Sequence, residues 1–206
     1  EDDATLGPRL RETLTVAASV SVAQWIIAPG LRSFQTAHPN VNLRITTTIW
    51  PDDFTAAMAD VEIRFGTFDV VGGNAALIGG QRVVAVAAPA LLRHGPWQTH
   101  PLIQPVGVYN RWPKVFAALG ISPAPEASVF VDSHGLAVDM AVSGGGVALT
   151  NSLIAAPALS DGRLVEVAID GARPKEAYYI AVTPGHASEA FASWLQKRIT
   201  DQSPAG

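Results

Sequence analysis

The sequence predicts an α/β fold of two lobes, and three observations predict it. Residues 12–66 alternate strand-like and helix-like segments. Apolar strands and short helices alternate again from about residue 82 to 150. Two late strands and an amphipathic helix then close the chain. Alternation of this kind builds parallel strands into a sheet whose faces the helices cover.

The elements follow in order. Glu1 to Glu12 is polar and without apolar period, and reads as a linker. Leu14 to Ala18 is a first strand. Ser19 and Ser21 then open a helix whose apolar residues recur at helical spacing from Val22 to Phe34. His38-Pro39-Asn40 ends it. Val41 to Ile45 alternates as a second strand, which Thr46, Thr47 and Thr48 extend. A short helix is expected over Asp53–Ala59 and a third strand over Val61–Phe65, stopped by Gly66. Residues 72–80 are glycine-rich and weakly structured. Arg82 to Ala88 reads as a buried strand, and Pro89 starts a short helix. With three prolines, His94 to Pro105 reads as loop. Strands are expected over Val106–Tyr109, Val129–Asp132, Val147–Thr150, Leu164–Ile169 and Ala177–Val182. Helices are expected over Trp112–Leu119, Leu136–Val142, from the cap Asn151 to Asp161, and over Glu189–Ile199. The chain leaves the first lobe after Gly66 and returns near 152–165. Two crossings make a hinge, and the cleft between lobes is the natural ligand site. The division expected is a linker over 1–13 and a ligand-binding domain over 14–206. Lobe I spans about 14–70 and 155–206, and lobe II about 71–154.

Composition removes several function classes. With 48% hydrophobic and 16% charged residues the chain is an ordinary globular protein, long enough to bury about 70% of its extended surface. Lys and Arg (14) are outnumbered by Asp and Glu (18), for a net charge of −4, so this chain by itself is not expected to bind DNA well. No cysteine is present, which excludes disulfides and thiolate metal sites. No apolar run is long enough to cross a bilayer. The first residue is Glu1 rather than Met, which suits a fragment, a processed form or an incomplete record.

Candidate functional residues concentrate at strand-to-helix turns. Ser19 and Ser21 stand beside free N–H groups and the positive end of a helix dipole, so they either cap the helix or contact an anionic ligand. Asp132-Ser133-His134 is the matching turn of the second lobe. Ser133 can donate to a ligand and His134 can add a charge-assisted bond, against the plainer reading of a capping serine and a surface histidine. Thr48 is a pocket-lining candidate at a strand end. Tyr178 and Tyr179 point to opposite faces of a late strand, one toward cleft or core. Arg64, inside an apolar strand, needs a partner such as Glu62 or Asp69 if buried. Trp112 and Trp194 read as core. No Gly-x-Ser-x-Gly elbow occurs, the adjacent Asp132-Ser133-His134 does not orient a triad, and the five histidines lack metal-ligand spacing. Neither a cofactor nor a metal is expected.

Four segments in order resemble the effector-binding domain of LysR-type transcriptional regulators. They are Ser21-Val22-Ala23 to Pro29-Gly30-Leu31 with Phe34 and His38-Pro39; Asp60-Val61-Glu62-Ile63-Arg64-Phe65-Gly66; Ala88-Pro89-Ala90-Leu91-Leu92; and Asp132-Ser133 through Gly144-Gly145-Gly146-Val147-Ala148-Leu149 to Leu159–Leu164. The second is similar to the branch containing the glycine-cleavage activator and β-lactamase-inducing regulators, with Glu62 in place of the commoner Asp or aromatic residue. Residues 67–80 depart from the family pattern, lacking its usual tryptophan and charges. The resemblance covers about residues 14–198. It implies a periplasmic-binding-protein-like (type 2) fold and a small polar or anionic effector between the lobes. It also implies a homodimer, tetrameric at full length, DNA contact only through a helix-turn-helix outside this chain, and a cytoplasmic location. The effector contacts it implies are Ser21, Thr48, Ser133 and Tyr178, which join Ser19 and His134 as candidates. The competing reading is a secreted solute-binding protein or enzyme of the same fold.

Overall fold

The computed structural model describes residues 11–48, 58–169 and 174–202. Strand β1 (Glu12–Ser19) feeds a continuous helical run, α1, over 20–37. Pro29 has no N–H for the carbonyl of Trp25 four residues back, and the run widens there into a π-turn, Ala23–Ile27. Arg198, near the other end of the chain, donates from Nε to the Ile26 carbonyl oxygen at 2.7 Å. Strands β2 (Val41–Thr48) and β3 (Val61–Gly66) lie parallel to β1 on either side of it. A single turn, α2 (Phe68–Val71), and the two-residue strand β4 (Ala76–Leu77) follow.

The second sheet is built from β5 (Val83–Ala87), β6 (Leu102–Pro105), β7 (Val129–Val131), β8 (Val147–Asn151) and β9 (Val165–Val167). Its helices are α3 (Pro89–Leu92), α4 (Trp112–Ala118), α5 (His134–Val142) and α6 (Ser152–Ser160). The chain then returns through β10 (Ala177–Val182) and closes with α7 (His186–Gln202). Strand order is β2-β1-β3-β10-β4 in the first sheet and β7-β6-β8-β5-β9 in the second. This is the predicted two-lobed α/β arrangement.

Several expectations need correction. β4 pairs with β10 in the first sheet and β9 with β5 in the second. The crossings therefore lie between β4 and β5 and between β9 and β10, later than the expected boundaries near 71 and 155. Strands of two and three residues are too short to show alternation, and glycines 72, 73, 79 and 80 disguised the first. The strand expected over Val106–Tyr109 lies instead at Leu102–Pro105, wholly buried, with prolines 101 and 105 bounding rather than breaking it. Val106–Tyr109 is a turn, with Gly107 at φ 73°. Most of the helix expected over Asp53–Ala59 lies outside the described residues, as do residues 1–10 of the expected linker.

One apolar core runs through both lobes. It joins Val16, Ile26 and Ile63 of the first to Val86, Ile103 and Val138 of the second. Each such buried aliphatic side chain contributes about 1.5–3 kcal/mol. Val22, Trp25, Ile26 and Ile27 are all buried in the chain's own core. Phe34 packs edge-on against Phe191 of α7 at 5.3 Å, and Trp194 joins them while donating to Ser33 Oγ at 2.9 Å. A second cluster holds the far side of lobe II around Trp112 and Phe116, with Trp112 Nε1 donating to the Ile103 carbonyl at 3.0 Å. Arg64 finds the structural role expected of it, paired with Glu62 and donating to the Val71 carbonyl. No helix among the described residues is long and apolar enough to cross a membrane.

Candidate functional site

The parallel register of β1 with β2 sets Ser19 beside Thr48 at their C-terminal ends. The N-terminus of α5, from the other lobe, packs against the start of α1 just beyond the end of β1. Ser19 caps α1, its Oγ accepting from the Val22 N–H at 3.4 Å. Ser133 caps α5 in the same way, accepting from Leu136 N–H at 3.3 Å. Ser21 reaches across the lobes and accepts the Gly135 N–H at 2.8 Å. Trp25 Nε1 donates to the carbonyl of the same glycine at 3.2 Å. Gly135 is thus clamped through both of its backbone polar groups. A Cβ there would stand 3.1 Å from Ser21 and from the Trp25 ring, so any larger residue would push the two helices apart by a few tenths of an ångström.

Tyr178 and His134 complete the junction. The Tyr178 hydroxyl lies 3.0 Å from His134 Nδ1, and the Phe65 ring centroid sits 4.8 Å from both rings. Burial pushes the His134 pKa down to about 4, so the ring is neutral at pH 7. Burial raises the Tyr178 pKa, with the Ser21 and Ser19 hydroxyls pulling the other way. Thr48 Oγ1 lies 3.4 Å from the Ala18 carbonyl, buried. The structure therefore gathers Ser19, Ser21, Thr48, Ser133, His134 and Tyr178 around one inter-lobe junction. It also occupies the helix N–H groups of Val22, Gly135 and Leu136 with serine hydroxyls.

The cavity lies beside this junction, between the two sheets. Phe65, Val83 and Leu149 form its apolar wall, and His134, Thr150, Asn151 and Glu176 its polar one. Of the six sequence candidates, His134 alone lines it. Its volume, about 20 Å³ measured as space open to the centre of a water molecule, holds roughly one water. An effector must displace side chains or part the lobes to enter. A wider depression of about 770 Å³ by the same measure lies among the outer faces of α1, α5, α6 and α7, against Trp25, Asp139 and Arg163. Ligands of open α/β sheets bind at the carboxyl ends of strands. The outer groove has no strand end in its wall, and the small cavity has Thr150 and Asn151 at the end of β8.

Sequence reasoning missed Gln81, which joins the first crossing and the start of β10 to that wall. Its Nε2 donates to the carbonyls of Ile78 and of Tyr178, the latter at 2.9 Å. Its Oε1 accepts from Tyr178 N–H at 2.8 Å and from Asn151 Nδ2 at 3.0 Å. Asn151 in turn caps α6 through Leu153 N–H at 2.9 Å. A signal for Thr150 and Asn151 was available, since β8 into α6 is a third strand-to-helix turn like those of Ser21 and Ser133. Gln81 carried no such signal. Among the described residues, no cluster of three or more His, Asp or Glu could hold a metal ion.

Comparison with known proteins gives one consistent result. The family model for the LysR substrate binding domain matches residues 8–200. The HTH-type transcriptional activator AmpR of Rhodobacter capsulatus is 28% identical over 206 residues, covering 96% of this chain and 69% of that protein. The glycine cleavage system transcriptional activator of Escherichia coli (strain K12) is 27% identical over 194 residues, covering 88% of this chain and 63% of its own length. Among solved structures, the effector domain of AmpR of Pseudomonas aeruginosa superposes with a TM-score of 0.68 at 23% identity, covering 93% of this chain and 96% of that one. CrgA, a LysR-type transcriptional regulator from Neisseria meningitidis, also gives 0.68, at 18% identity, covering 94% of this chain and 69% of that one.

Proposed function

The chain belongs to the LysR substrate-binding domain family as the effector-binding domain of a LysR-type regulator, and from that premise we propose that the cavity between its sheets is the effector site. The observation that carries this reading is the Ser21–Gly135–Trp25 clamp beside a cavity whose walls come from both lobes. A small polar or anionic molecule entering there changes the inter-lobe angle. It does so only by its difference in affinity for the two arrangements. DNA binding belongs to a helix-turn-helix region outside these residues, and the domain acts by binding rather than catalysis. The matched relatives are transcriptional regulators, which disfavours the solute-binding or enzyme alternative. The same family membership supports reading the protein as a homodimer, tetrameric at full length, with a cytoplasmic location.

The reading has a direct genetic test. Val83→Phe places a ring in the cavity. In the full-length regulator it should abolish effector-dependent transcription while leaving promoter occupancy intact, measured by reporter assay and footprinting. A folded Val83→Phe protein that responds as the parent does would move the site elsewhere.

A further inference from the structure

The Thr150 side chain is 3% exposed, and its hydroxyl has no hydrogen-bond partner. Of the other polar side chains of the wall, which include Asn110, those of His134, Asn151 and Glu176 are engaged. His134 meets Tyr178, Asn151 meets Gln81 and Leu153, and the Glu176 carboxylate accepts the Tyr109 N–H at 2.6 Å. A buried hydroxyl without a partner is costly, and such groups are rare. Packing does not require it, because valine fills the same volume in a strand without the hydroxyl. The cavity is where its partner can stand.

The surrounding chemistry limits what that partner is. Among the described residues the cavity wall carries no Lys or Arg, and its one formal charge is the carboxylate of Glu176. Lys114 and Lys175 lie against the Tyr109 ring at the rim, 3.1 and 4.2 Å from its centroid. The N–H groups of Val22, Gly135 and Leu136 are taken by serine hydroxyls. A carboxylate placed there meets Glu176 without a compensating cation, whereas an amide or hydroxyl can both give and accept a bond at Thr150. Resting on the cavity being the effector site, we propose that Thr150 contacts the effector and reads a neutral hydrogen-bonding group on it, a primary amide or hydroxyl.

Acetamide and acetate are nearly isosteric and differ in charge, so they serve as probes. Each is titrated into the 206-residue chain while the methyl resonances of Val83, Val108 and Leu149 are followed by NMR. Acetamide should give saturable shifts at these methyls, bind about tenfold more weakly to Thr150→Val, and bind Thr150→Ser nearly as the parent. Thr150→Val should unfold at an equal or higher urea midpoint, showing that it is folded and that the hydroxyl was unpaired. Equal acetamide affinity in Thr150→Val overturns the role of Thr150 and leaves the cavity reading standing. Acetate binding as tightly as acetamide overturns the neutral-group specificity. If neither probe moves the cavity methyls, the cavity reading itself falls, and the proposal with it.

Discussion

Replacing Gln81 by leucine is expected to lower the unfolding free energy by about 2–4 kcal/mol. The side chain uses both donors and its acceptor oxygen twice, tying Ile78 on the first crossing and Tyr178 at the start of β10 to Asn151 at the end of β8. Leucine has similar bulk and no polar atom. The Tyr178 N–H and carbonyl and the Asn151 amide would lose their partner together, in a half-buried place that water reaches poorly. Gln81→Glu keeps the accepting oxygens but sets a second oxygen against two carbonyls, so it should not rescue. Urea unfolding should show a lower midpoint at unchanged slope for both variants. A Gln81→Leu midpoint equal to the parent's would show that the hub contributes nothing to the hinge.

Lowering the pH should cost the domain about 3 kcal/mol through His134 alone. Its folded pKa, about 4, lies below the 6.5 of an exposed histidine, and the cause is burial. The folded state therefore holds fewer protons than the unfolded state between these values. The contribution is fully present above pH 6.5 and is lost as the pH falls toward 4. The groups in contact with the ring are the Tyr178 hydroxyl and the Phe65 face, and neither offers a compensating negative charge. His134→Asn removes the titration while keeping a polar group at the site. Unfolding midpoints measured from pH 7.5 to 4.5 should converge for parent and variant as the pH falls. Parallel pH profiles would refute the assignment.

The fold was largely legible because its longer elements declare themselves. The run from Leu14 to Ala18, the alternation of Val41 to Ile45 and the caps Ser133 and Asn151 all stand where their patterns put them. The misplaced crossings have a physical reason. β4 and β9 are held by pairing with distant strands, β10 and β5, and not by local pattern. The site was legible at the level of its turns. The two turns do meet across the lobes, but as a protein-to-protein contact, because the Ser21 hydroxyl supplies the partner that the Gly135 N–H requires, while Ser19 and Ser133 cap their own helices. The four-bond amide of Gln81 depends on residues 70 and 97 positions away, and the orphan hydroxyl of Thr150 on a cavity whose wall draws on residues from Phe65 to Glu176. Such relations leave no trace in a local window.

The measurement that tests the central claim most directly is a crystal structure of the chain with a small molecule selected by thermal-shift screening. The account predicts the molecule between the sheets, within hydrogen-bonding distance of Thr150 or the Tyr178–His134 pair, with the Ser21–Gly135 contact altered. A ligand seated in the outer groove against Trp25, Asp139 and Arg163, with the inter-lobe cavity unchanged, would contradict it.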